Sequence, residues 1–139
     1  MTLHLLYIGR PRDAHANALA REYIKRAARF LDCRMAEIDP RKYAVAQRHA
    51  AARKVYLDPA GETFDSARFQ RLIEEARLGA RDLVFLVGGH DGLPAGWRGQ
   101  GGLLLSLTPL TLPHELARAV LAEQIYRAAA ALNHHPYGR

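Results

Sequence analysis

Cysteine is almost absent from this sequence: of 139 residues only Cys33 carries a thiol. One thiol closes no internal disulfide and supplies no thiolate zinc cluster, so a reducing, cytoplasmic setting is expected and Cys33 reads as a structural group. Long hydrophobic runs are missing as well. The opening MTLHLLYIGR has no cationic stretch ahead of its apolar residues, and it is far shorter than the ~20 residues of a membrane span. A soluble, non-exported chain with no membrane partner is the expectation. Three motifs that announce common chemistries are also lacking. Without G-x-G-x-x-G, G-x-x-x-x-G-K-[ST] or G-x-S-x-G, nothing points to a dinucleotide fingerprint, a phosphate loop or a nucleophile elbow. His134 and His135 are adjacent rather than four apart and no acidic partner follows them, so no metal site is expected.

What is there fits one compact domain over residues 1–139, with 49% hydrophobic residues to build a core. The charge is lopsided. Residues 1–54 hold 12 Lys/Arg against 5 Asp/Glu, whereas residues 55–139 hold 8 against 9. A basic half of this kind suits a polyanion, through phosphate contacts and counterion release, and it equally suits a solvated surface.

Hydrophobic period divides the chain into alternating elements. Leu3 to Ile8 is a short apolar run ended by Gly9 and Pro11, the pattern of a buried strand. Asp13 can cap a helix over residues 14–31, with an apolar face and a basic stripe of Arg21, Lys25 and Arg29. Met35 to Asp39 reads as a strand, the Ala-rich stretch 41–53 as a weaker helix, and Val55 to Leu57 as a strand closed by a turn at Asp58-Pro59-Ala60-Gly61. Ser66 is a cap candidate for the next helix, and Gly79 suits the left-handed position at its end. Asp82 to Val87 is a buried strand, 88–102 a loop, and Leu103 to Leu107 a fifth strand. Pro113 opens a helix to about Leu132 that is apolar on most sides, as a deep core position or a homodimer interface requires. Such alternation predicts an α/β fold with a mostly parallel sheet covered by helices on both faces, and ligands at the carboxyl ends of its strands.

Two segments sit at such strand ends: Gly88-Gly89-His90-Asp91-Gly92 and Ser106 to His114. The glycines allow positive φ and close approach of a ligand, or serve only a tight strand exit. His114 falls in the first turn of the last helix, where it can meet a ligand or cap the loop. The tail Asn133 to Arg139 joins imidazoles, a phenol and a guanidinium, groups that suit RNA but also occur in disordered ends.

LVGGHDGL (86–93), SLTPLTLPHELARAVLAEQIYRA (106–128) and HPYGR (135–139) resemble, in order and spacing, the ordered blocks of the bacterial large-subunit rRNA pseudouridine N3-methyltransferase family. The opening LHLLYIGR, the EYIKRA helix and VYLDPAGE (55–62) are similar to its other segments, so the resemblance spans nearly the whole chain. The family belongs to the SPOUT superfamily. The resemblance implies a C-terminal trefoil knot, a homodimer, and S-adenosylmethionine as methyl donor held by Leu57, Gly88, Leu107, Thr108, Pro109, Leu110, Thr111 and Leu112. It implies methyl transfer to N3 of a pseudouridine in 23S rRNA of the assembled ribosome, with His135, Tyr137 and Arg139 assisting from the tail across the dimer.

Three departures from the family pattern stand out. Gly138 occupies a position where the family usually has His, the stretch between Ile38 and Val55 is short, and Gly96, Gly99, Gly101 and Gly102 predict a looser active-site loop. Two other readings use the same residues: a noncatalytic RNA- or ribosome-binding protein, and a SPOUT methyltransferase acting on another RNA such as tRNA. Donor binding separates the first, and transfer to ribosomes against tRNA the second.

Overall fold

In the computed structural model, described for residues 1–138, the chain runs β1 (Thr2–Ile8), α1 (Ala14–Ala27), β2 (Asp32–Ile38), β3 (Arg53–Thr63), α2 (Ser66–Leu78), β4 (Leu83–Val87), β5 (Leu103–Ser106) and α3 (His114–Leu132), with a 3-10 turn at Arg98–Gln100. Arg139, expected in the functional tail, lies outside the described residues. The strands lie in the order β2-β1-β4-β3-β5 and every pairing is parallel. Central β4 is buried at all five positions, as a strand covered on both faces must be.

One face carries Leu3, Leu5, Val55, Leu83, Phe85 and Leu105, packed under the buried sides of α1, α2 and α3. The other carries Leu6, Tyr56, Val84 and Leu86. The helix expected at 41–53, which would cover this second face, is absent; turns take its place. Tyr43, Val45 and Ala52 are buried there, together with Leu93 and Trp97 from the loop before β5. Tyr43 and Val45 sit two apart, a spacing that a helix cannot turn to one side, so burial overrides the alanine propensity. The Lys54 ammonium donates to the Val45 carbonyl, and the Tyr43 hydroxyl meets His49 Nδ1 at 3.0 Å, holding the turns in place.

Other boundaries shift for local reasons. Asp58 to Gly61 forms no turn but a bulge inside β3, because β5 pairs with the strand on both sides of it. Asp65, not Ser66, caps α2: its carboxylate accepts from the Arg68 amide at 2.8 Å. Gly79 has φ −83°, and the left-handed position falls on Ala80 at +50°, where the Arg81 amide closes back to the Ala76 carbonyl at 2.9 Å. Helix α1 stops at Ala27 and β2 begins at Asp32, ahead of the expected Met35. Helix α3 lies between α1 and α2 with ten buried residues, so most of its apolar surface is covered within one chain, while Leu116 remains 41% exposed.

Candidate active site

Where β3, β4 and β5 end, the chain leaves a cleft of roughly 480 Å3, the size of a small-molecule site. Leu57 comes from β3, Gly88 and Gly89 follow β4, and the wall is the segment Leu107, Thr108, Pro109, Leu110, Thr111 and Leu112 between β5 and α3. Three stretches distant in sequence therefore meet at one place. The wall is mostly apolar, while Thr108 to Leu112 belong to no helix or strand, so most of their backbone groups remain available to a ligand. The loop shapes itself: Ser106 Oγ donates to the Thr108 carbonyl at 3.0 Å, and Thr108 Oγ1 accepts from the Leu110 amide at 3.1 Å.

Gly88 is required by packing rather than by φ. A Cβ there would stand 2.5 Å from the Gly92 carbonyl carbon, so the 88–92 loop closes only on a hydrogen side chain. Gly92 alone of these three takes positive φ, at +76°. His90 and His114 both line the cleft, their rings 6.5 Å apart. Pro113 stands at the cap of α3 and makes no side-chain capping bond, and His114 is the first residue of the helix.

Sequence reasoning missed Asp58 and Arg98. Asp58 is buried beside the cleft; one carboxylate oxygen accepts from the Ala60 amide at 2.8 Å and the other meets Arg98 Nε at 2.7 Å. This pair ties β3 to the glycine-rich segment, whose Trp97 is also buried, so that segment is more firmly anchored than its glycines suggest. An acid before proline in a strand bulge, with an arginine forty residues later, carries no local signal. The buried Glu115 was missed for the same reason: its partners lie at the far end of the chain.

His135 and Tyr137 are brought together with each other, not with the cleft. The Tyr137 amide donates to His135 Nδ1 at 3.2 Å, its ring lies 4.4 Å from that of Tyr126, and its hydroxyl donates to Glu123 at 3.2 Å. Burial and the nearby Glu123 carboxylate raise the Tyr137 phenol above its ordinary pKa. Arg127 pairs with Glu123 at 3.0 Å and lies over the Tyr137 ring. The cleft touches the first turn of α3 and this tail follows its last; a 19-residue helix separates them by about 28 Å. Among the described residues no group of three or more His, Cys, Asp or Glu could hold a metal ion, and no helix is long and apolar enough to cross a membrane.

The sequence pattern of one family, described as Predicted SPOUT methyltransferase, matches residues 1–138. The chain belongs to the SPOUT methyltransferase family. Among SPOUT relatives, Ribosomal RNA large subunit methyltransferase H of Solibacter usitatus is 52% identical over 139 residues, covering 100% of both chains. The protein of the same name from Thermus thermophilus is 41% identical, over 100% of this chain and 99% of its own. A solved methyltransferase from Legionella pneumophila, in complex with the cofactor SAM, superposes with a TM-score of 0.51 at 14% identity, over 95% of this chain and 66% of its own. At that identity the shared property is the fold, here a SPOUT α/β sheet.

Proposed function

We propose that residues 1–139 form a single SPOUT domain that works as a cytoplasmic homodimer, transferring a methyl group from S-adenosylmethionine to N3 of a pseudouridine in 23S rRNA of the assembled ribosome. The observation that carries this reading is the meeting of Leu57, Gly88 and the 107–112 segment around one cleft, in a chain 52% identical along its whole length to an rRNA methyltransferase. The resemblance also brings the C-terminal trefoil knot, in which α3 would pass through the chain ahead of β5.

The residues present fit the donor. The cleft's volume and apolar walls suit an adenosyl group, and the open backbone of Thr108 to Leu112 offers amides and carbonyls to its adenine edge. S-adenosylmethionine supplies an electrophilic methyl on a sulfonium, which leaves readily as a neutral thioether. The protein's task is then alignment, worth several kcal/mol of otherwise lost freedom, and removal of the N3 proton.

His135, Tyr137 and Arg139 are proposed to assist. The Tyr137 amide occupies the lone pair of His135 Nδ1, so the neutral ring carries its proton on Nε2 and would donate there to the nucleobase, orienting it rather than taking its proton. The raised phenol of Tyr137 stays protonated, so it donates a hydrogen bond and offers a ring face rather than taking the proton. Since the tail lies a helix length from its own chain's cleft, it would serve the cleft of a second copy. That need supports the homodimer.

Calorimetric titration with S-adenosylmethionine, beside Gly88→Leu, tests the reading. Saturable binding that the variant loses, followed by methyl transfer to ribosomes but not tRNA, is the expected result. No binding to folded wild type would replace it with a noncatalytic RNA-binding role, and transfer to tRNA alone would change the substrate.

A further inference from the structure

The loop between β1 and α1 carries two exposed arginines, Arg10 and Arg12, and neither has a carboxylate partner among the described residues. A loop with Gly9 and Pro11 in it, bearing unpaired cations, would ordinarily be mobile. This one is fixed from below. The buried carboxylate of Glu115, in the first turn of α3, accepts the Arg12 amide at 2.6 Å on one oxygen and the Asp13 amide at 2.8 Å on the other. Asn17 braces the same carboxylate with its amide nitrogen at 3.4 Å, and its carbonyl oxygen accepts from the fully buried guanidinium of Arg118. That guanidinium lies 3.7 Å from the centre of the Tyr7 ring at the end of β1.

The fixed loop borders the cleft. A Cβ on Gly89, a cleft residue, would lie 3.0 Å from the Ile8 carbonyl oxygen, and Glu115 directly follows His114 of the cleft wall. The buried carboxylate, accepting two backbone amides, holds the backbone from which two exposed guanidinium groups project. Planar, permanently charged forks on a rigid base are what phosphate recognition requires, because the ordering cost is met before the ligand arrives.

We propose that the Gly9–Asp13 loop is a preformed clamp for the sugar-phosphate backbone of the substrate RNA beside the target nucleotide, with Arg10 and Arg12 contacting phosphates and Glu115 as the positioning residue beneath them. This rests on the RNA methyltransferase reading and adds to it the place where the RNA strand is gripped.

The test measures binding of the full chain to assembled ribosomes from cells lacking the modification, across a range of salt concentrations, for wild type, Arg10→Ala, Arg12→Ala and the double variant. Removing each phosphate-bound guanidinium should lower the magnitude of the slope of log K against log salt by about 0.7–0.9, and the double variant should bind roughly tenfold more weakly or worse. Affinity for S-adenosylmethionine should not change. Glu115→Gln should weaken ribosome binding with the slope retained, since the charges remain but their base loosens; unchanged affinity there overturns the positioning role. Wild-type methylation with unaltered affinity and slope in the double variant would overturn the clamp alone. Loss of donor affinity in the arginine variants would overturn it by assigning them to the cofactor. Failure of the wild type to bind ribosomes would remove both the clamp and the reading beneath it.

Discussion

A carboxylate that accepts two backbone amides is easier to ionise than one in water. Glu115 is held below its ordinary value of 4.5, first by the Arg12 amide, against the opposing effect of burial, and then by the Asp13 amide and Asn17. Because the folded value is depressed, the stability it contributes is fully present above pH 4.5 and is lost as pH falls through the lower folded value. The amide proton resonances of Arg12 and Asp13 should therefore titrate together in NMR spectra, with one midpoint below 4.5, and the transition should vanish in Glu115→Gln. Separate midpoints would mean the two amides do not share the carboxylate. Gly138 illustrates the opposite kind of residue, one defined by what it lacks. Its φ is +88°, a conformation side-chain-bearing residues rarely adopt, whereas the 2.5 Å approach of a Cβ to Arg127 Nη1 falls on the movable end of a flexible side chain, so backbone strain opposes a larger residue here more than space does.

At the scale of elements, caps decide where helices begin, and α2 offers a direct comparison. Removing the Asp65 carboxylate should cost about 1 kcal/mol, whereas Ser66→Ala, one residue along and without a capping bond, should stay within about 0.5 kcal/mol. Urea unfolding of the two variants checks this, and equal losses would return the cap to Ser66. Strands β1, β4 and β5 were legible because each is a short apolar run between turn residues, α1 because its period and flanking Asp13 agree, and α3 because a long apolar stretch follows Pro113. The 41–53 stretch was not, since alanine content speaks for helix, while the deciding fact, a sheet face needing Tyr43 and Val45 beneath it, is tertiary. The bulge at Asp58 to Gly61 was hidden likewise: the same four residues make a turn or a bulge according to whether a strand from elsewhere pairs on both sides.

For the whole molecule, the separation of cleft and tail sets a requirement that can be tested by mixing. Gly88→Leu should abolish donor binding but keep the tail; deletion of residues 135–139 should keep the cleft but lose the tail. Each alone should be inactive on ribosomes. Copurified mixed dimers should regain about half of the wild-type sites, as interdependent subunits predict, and no recovery would confine the tail to a structural role. The cleft itself was largely readable, since glycine and proline punctuate strand ends and the motif blocks named its wall. Asp58, Arg98 and Glu115 were not, because each acts through a partner at least forty residues away, and sequence proximity says nothing about such pairs.

That distance also has a meaning in time. The amide of Arg12 waits for a carboxylate that is synthesised 103 residues later, which at about 5–20 residues per second is roughly 5–20 s of translation. For most of that interval β1 lacks its central neighbour β4, and throughout it β1 lacks the helix that fixes its outgoing loop. The anchoring of the Gly9–Asp13 loop and the wall of the cleft are both completed by the same late stretch, β5 to α3. A half-made chain emerging from a ribosome therefore has neither an assembled cleft nor an anchored loop.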